Sequence, residues 1–189
     1  MIGPRFSAVL AAAADGDQVA FATIWLDLQP GLLRYLRVVA QGSAEDVASE
    51  TWVDVVRGLA RFRGDERAFR SWAFTIARHR AADWRRRIAR QPADPLPLER
   101  FPDRAAPDDP AAEAFETAST AAALALIGEL PRDQAEVVVL RVVADLDVAQ
   151  VAAIVGKRPG TVRVLAHRGL RRLAEQVASQ RPTRGGVTR

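Results

Sequence analysis

A chain of 189 residues, 49% of them apolar, can fold as one ordinary domain or as two small helical ones with packed cores. It has no cysteine and only two histidines, His79 and His167, which argues against a disulfide framework, a thiolate metal site or a histidine cluster and gives no reason to expect a cofactor. The net charge is +4, and 26 of the 27 basic residues are Arg, a bias that favours forked contacts to phosphate and guanine but that high genomic GC content would also produce.

No apolar run approaches the roughly 20 residues that span a bilayer, and the first residues lack the pattern of a signal peptide. The chain is therefore expected to be cytoplasmic, without stable membrane insertion. Nearly every periodic segment has the helical repeat, which predicts an all-α fold with helices over about 5–14, 17–40, 44–60, 67–90, 112–128, 132–144, 148–155 and 159–178.

The early part of the chain is acidic: residues 1–56 carry three Arg against seven acids. Within it, the helix from Ala44 turns Ala48, Trp52, Val55, Val56 and Leu59 inward and leaves Glu45, Asp46, Glu50 and Asp54 outward. Acids would repel a nucleic acid, so this face is expected to address a protein. A solvated helix start favoured by the dipole accounts equally for Glu45 and Asp46.

The balance reverses over residues 57–90, with eleven Arg against three acids. Here Phe69 to Arg90 reads as one long helix. Phe69, Ala73, Ile76, Ala77 and Trp84 form its inward stripe, while Thr75, Arg78, His79, Ala82, Arg85 and Arg86 share the outer arc and Trp72 lies at the border. A basic face edged by aromatics can stack unpaired bases and hold their phosphates. Arg61 and Arg63, with Phe62 and the turn Gly64-Asp65, supply a loop that could receive a flipped base. Trp52 and Trp84 read as core; for Trp72, core and stacking platform are both open.

Gln91 to Ala112 contains six prolines, and residues 91–116 return to two Arg against seven acids. This is expected to be an extended linker, with a typical span of order 25 Å and a full extension of about 70 Å, so that the two halves can sit far apart on one partner. The organisation expected is residues 1–90, a linker over 91–112, a second domain over 113–178 and a disordered tail over 179–189.

In the second half a short helix over Val148–Val155, N-capped by Asp147, is broken by Gly156. Lys157 and Arg158 fill the turn and Pro159 opens a new helix, on which Val162, Leu165, Ala166, Gly169, Leu170 and Leu173 recur at the spacing of a buried face. Residues 157–172 hold six basic residues and no acid. This is the layout of a helix-turn-helix, whose second helix lies in the major groove. Arg158, Thr161 and Arg163 are nearest its N-terminus and are expected at base edges; Arg168, Arg171 and Arg172 suit phosphates. His167 reads equally well as a DNA contact and as a plain surface residue.

Taken in order, these segments resemble the extracytoplasmic-function sigma factors of bacterial RNA polymerase over roughly residues 7–176. Ala14-Asp15-Gly16-Asp17 with Ala20-Phe21, then Leu33-Arg34-Tyr35-Leu36, look like the start of the family's second region, and Ala44 to Trp52 like its polymerase-binding helix. Phe69 to Arg78, through Asp83 to Arg87, resembles the minus-ten recognition and melting helix. Leu130-Pro131, Val137 to Arg141, Val151-Ala152, Gly160 to Arg163, His167-Arg168 and Leu170 to Leu173 resemble the fourth region. The resemblance implies binding to core RNA polymerase, with Glu45, Asp46 and Glu50 on the largest subunit's coiled coil. It also implies strand opening by the Trp72 helix, minus-thirty-five reading by the 159–173 helix, and regulation by an anti-sigma factor. His79 stands where the family often has Asn, Leu165 where a second basic residue is common, and Gly169 where a better helix former is expected.

Two other classes compete. A conventional helix-turn-helix regulator with an N-terminal sensing or dimerisation domain would not need eleven Arg in residues 57–90. An enzyme lacks a glycine-rich phosphate loop or a recognisable nucleophile, leaving only a carboxylate-bound metal if Asp65, Glu66 and Asp83 converged.

Overall fold

The computed structural model describes residues 1–90 and 110–180, with side chains described outside 110–117 and 180. Of the linker expected over 91–112, residues 91–109 lie outside the described residues and 110–112 open a helix instead; of the tail expected over 179–189, residues 179 and 180 end a helix and 181–189 lie outside the described residues. Among the described residues the fold is all-α, as the periodicity predicts. After a 3-10 turn at Gly3–Arg5 come α1 (Phe6–Ala14), α2 (Gln18–Val39), α3 (Ala44–Leu59), α4 (Glu66–Arg90), α5 (Pro110–Gly128), α6 (Arg132–Val138), α7 (Val148–Val155) and α8 (Pro159–Gln180). A π turn at Val139–Val143 extends α6, with Ala144 N donating to Val139 O.

Helix starts follow local chemistry. Asp17 caps α2 by accepting from Val19 N at 2.8 Å and Ala20 N at 3.1 Å, and Asp65 accepts from Ala68 N at 2.8 Å where α4 begins. α7 opens with a reciprocal capping box: Asp147 accepts from Gln150 N at 2.9 Å while Gln150 Oε1 accepts from Asp147 N at 2.8 Å. It closes at Gly156, whose φ of 66° lies in the left-handed region that glycine enters without a Cβ penalty.

In the first half α2 runs through the middle and places Ile24, Leu28, Leu32, Tyr35 and Leu36 against Val47 and Val55 of α3 and Phe69, Ala73, Phe74 and Ala77 of α4. In the second half Val137 to Leu140, Leu146, Val151, Ile154 and Val162 form the interior. These interiors are continuous, because α2 packs on α5, α6 and the π turn, and α4 packs on α7. The separated halves allowed by the linker length are thus replaced by direct packing.

Several side chains depart from the sequence reading. Val56 is 52% exposed because the α3 stripe centres on Thr51 and Val55, and Leu170 is 47% exposed because α8 docks through the narrower Val162 and Gly169 line. Asp54, expected outward, turns to α4 and pairs with Arg80.

Candidate nucleic-acid interface

At one end of α4 the turn after α3 builds an aromatic cluster. Phe62 meets Phe69 edge-on at 5.2 Å and Trp72 at 5.1 Å, and Phe69 lies 5.5 Å from Trp72. Arg63 folds back, donating from Nη1 to Ala60 O at 2.9 Å and to Phe62 O at 2.7 Å, which fixes the turn, while Arg61 is exposed. Trp72 is part-buried. It therefore belongs to the packing of the first half while keeping part of its surface exposed.

Further along α4 the expected outer arc splits. His79 and Arg86 are exposed, Arg86 pairing with Asp83, and Thr75 donates its hydroxyl to Ser71 O at 2.8 Å. Arg78 and Arg85 are instead partly covered. Arg78 Nε donates to Glu136 Oε1 at 2.9 Å, and Arg85 Nη1 donates to Val39 O at 2.7 Å. Burial, and next the nearby Arg132, lower the Arg85 guanidinium below its ordinary value.

The acidic residues of α3 do not share one environment. Glu45 pairs with Arg37 at 3.4 Å and Asp46 is exposed. Glu50 faces α4, 3.5 Å from Arg87 and 3.9 Å from Arg80. Arg80 Nε also donates to Asp54 Oδ2 at 2.5 Å, a bond that raises the Arg80 guanidinium above its ordinary value. Glu45 and Asp46 are thus the freer acids of the helix, and Glu50 is engaged within the chain. The three acids of the metal alternative also have separate tasks: Asp65 caps α4, Glu66 accepts from Ile2 N and Gly3 N, and Asp83 pairs with Arg86. They form no group of three among the described residues.

In the second half α7, Gly156 and α8 make the helix-turn-helix. Val162 is fully buried and Gly169 is pressed on α6, while Arg158 before α8 and Thr161, Arg163, His167, Arg168, Arg171 and Arg172 on it are all exposed, Arg172 beside Glu129, Leu130 and Pro131. Lys157 pairs with Asp133 at 2.9 Å and Arg171 with Glu175 at 3.4 Å. The first turn of α8 carries no acid, so its N-terminal dipole and Arg163 offer an unopposed positive edge.

Sequence reasoning missed the residues that join the halves. Tyr35 on α2 is fully buried and donates its hydroxyl to Glu136 Oε1 at 3.1 Å, beside Arg78 on the same oxygen. Gln150 Nε2 donates to Arg67 O at 2.9 Å, and Arg67 pairs with Asp147 at 3.1 Å. One signal was available: Glu136 is the single acid inside the apolar run Ala135 to Leu140, a position that demands a partner.

Residues 24–91 match the family model described as Sigma-70 region 2, and residues 120–173 match Sigma-70, region 4. The ECF RNA polymerase sigma factor SigD of Mycobacterium tuberculosis is 36% identical over 186 residues, covering 95% of this chain and 87% of that protein. ShbA of Streptomyces griseus, another ECF RNA polymerase sigma factor, is 35% identical and covers 85% of this chain and 89% of its own length. Among solved structures, CnrH in complex with the cytosolic domain of CnrY is similar at TM-score 0.62 and 22% identity, covering 92% of this chain and 97% of that one. The sigma factor RpoE of Bartonella quintana, in complex with the anti-sigma factor NepR, is similar at TM-score 0.61 and 20% identity, over 85% of this chain and 98% of that one. At these identities the structural likeness bears on the fold.

Proposed function

Since the chain belongs to the ECF RNA polymerase sigma factors, which bind core polymerase and promoter DNA and direct transcription initiation, we propose that its work is divided among three surfaces. Glu45 and Asp46 of α3 address core polymerase, and Glu50, held 3.5 Å from Arg87, borders that face. The Arg61–Arg63 turn, Trp72, Thr75, Arg78, His79, Arg85 and Arg86 read and hold the separated minus-ten strand. Lys157, Arg158, Thr161, Arg163, His167, Arg168, Arg171 and Arg172 read the duplex minus-thirty-five element. The observation that carries the assignment is the exposed row of cations on α8 behind the capped α7 and the left-handed Gly156, in the same chain as an aromatic-edged basic helix.

The protein acts by binding and not by catalysis, since the family is not a class of enzymes. No helix among the described residues is long and apolar enough to cross a membrane, and a cytoplasmic location, on the nucleoid in the holoenzyme, fits that role. An anti-sigma factor is proposed as a further partner, supported by the anti-sigma complex in which a sigma factor of the same fold was solved.

Run-off transcription of sheared genomic DNA by core RNA polymerase, with and without the protein, tests the proposal. New discrete starts with paired upstream elements are expected. Duplex binding by the protein alone with no new starts would transfer the assignment to a conventional helix-turn-helix regulator.

A further inference from the structure

Val164 stands on α8 with 48% of its surface exposed. It lies about 160° round the helix from Val162, the fully buried member of the line that presses Gly169 on Val138 of α6. Leu170 and Val177, the other large apolar side chains exposed on α8 among the described residues, fall only about 80° and 60° from Val162, at the margin of that line. Val164 alone of the three points directly away from the body of the second half. Its neighbours on the helix surface are Gly160 and Thr161 one turn before, and His167 and Arg168 one turn after, all of them exposed. A hydrocarbon side chain therefore occupies the middle of a face that holds no acid from Lys157 to Arg172.

Neither packing nor helix formation accounts for valine at this place. Nothing in the chain covers it, and valine is a poorer helix former than the Ala, Leu, Lys or Arg that an exposed helical site favours. Gly160 is in the same position: a β-carbon there would meet nothing within 4 Å, so no internal contact requires the glycine, although glycine weakens a helix. A bare position one turn ahead of Val164 lets another molecule approach the helix closely along that line.

The major groove offers such a side chain one kind of partner. Amino and carbonyl edges are read by groups such as Arg and Thr, and the apolar feature of the groove is the C5 methyl group of thymine. Valine gains by burial against that methyl, and loses where an amino or carbonyl edge would be desolvated against it. Its χ1 is stiff on a helix, so both of its methyl groups are held in place before DNA arrives.

We propose that Val164 is a specificity-determining residue of α8, one that reads the C5 methyl group of a thymine in the upstream element. It rests on the assignment of α8 to the duplex minus-thirty-five element and adds a base identity to it.

Holoenzyme assembled from core RNA polymerase and the full chain is titrated with promoter duplexes carrying the upstream element mapped by run-off transcription. Replacing each thymine of that element in turn, on either strand, by deoxyuridine removes the methyl group and keeps the base pair. At one position the replacement is expected to weaken binding by the wild type about fourfold, the worth of burying one methyl group. Val164→Ser is expected to bind the thymine and deoxyuridine duplexes equally, and Val164→Ile to keep the difference; circular dichroism verifies that both variants are folded. A methyl effect that persists in Val164→Ser would overturn the proposal, because it would belong to the DNA or to another residue. So would a wild type indifferent to every deoxyuridine, or an element with no thymine on either strand. A scrambled element distinguishes the two levels of failure. Binding weakened by scrambling but by no deoxyuridine removes Val164 alone, whereas binding indifferent to scrambling removes α8 from minus-thirty-five reading and Val164 with it.

Discussion

Trp72 lies across the backbone of α3 at Gly58, so closely that a β-carbon there would sit 2.6 Å from Cζ2 and 2.9 Å from Cη2 of the indole. The ring cannot retreat without disturbing Phe62 and Phe69, at 5.1 Å and 5.5 Å. Gly58→Ala is expected to destabilise the first half by about 1–2 kcal/mol, the overpacking outweighing a helix-propensity gain of about 1 kcal/mol. Chemical denaturation measures the loss. If Trp72 serves strand opening, permanganate reactivity of promoter thymines in the open complex falls as well.

The second half has a parallel contact. A β-carbon at Gly169 would meet Val138 Cγ2 at 2.6 Å, so the glycine that looks like a weak helix former is the site where α8 docks on α6. Gly169→Ala is expected to lower stability by about 1–2 kcal/mol although alanine favours helix. A denaturation midpoint that rose would show that α8 shifts freely on α6.

Tyr35 is the chain's one tyrosine, which makes its titration legible. Burial and then the Glu136 carboxylate raise its hydroxyl well above the ordinary 10.0, while Arg78 and Arg85 oppose the shift. The sign follows from linkage: the stability contributed by the neutral phenol is complete below the unfolded value near 10 and is lost as pH rises through the folded value. Ultraviolet absorbance should show no tyrosinate in the folded chain at about pH 10, where an unfolded tyrosine is half ionised.

Arg163 is exposed on the first turns of α8, with no acid in the first turn to neutralise that edge. Arg163→Ala is expected to lose discrimination of about 1–3 kcal/mol between intact and mutated minus-thirty-five elements, and to leave core polymerase binding intact. Paired run-off transcription on the two templates measures the first, and gel filtration with core polymerase the second. Equal discrimination by both proteins would remove Arg163 from the reading set.

Secondary structure was readable locally because its signals are local. The Asp147 cap, the Gly156 break and the Pro159 start lie within a dozen residues of one another, and each acts on its own backbone, so the helix-turn-helix bounds agree with those expected. The inward stripe of α4 was less complete. Phe74, fully buried, was left out because two helices, α2 and α3, pack on the first-half side of α4 and widen its apolar arc. Val56 and Leu170 failed in the opposite sense, since a periodic apolar position is buried only if a neighbour arrives to cover it.

Composition, charge blocks and periodicity by themselves determined an all-α chain with an aromatic-edged basic helix, a Pro-rich acidic stretch and a helix-turn-helix, because each depends on residues near one another in sequence. Only the tertiary structure decided which charges are spent within the molecule. Glu50 and Asp54 turn to Arg87 and Arg80, and Glu136 reaches Arg78 across 58 residues of chain. A side chain's partner across that distance is set by how whole helices pack, and the helical repeat of either segment alone carries no record of it.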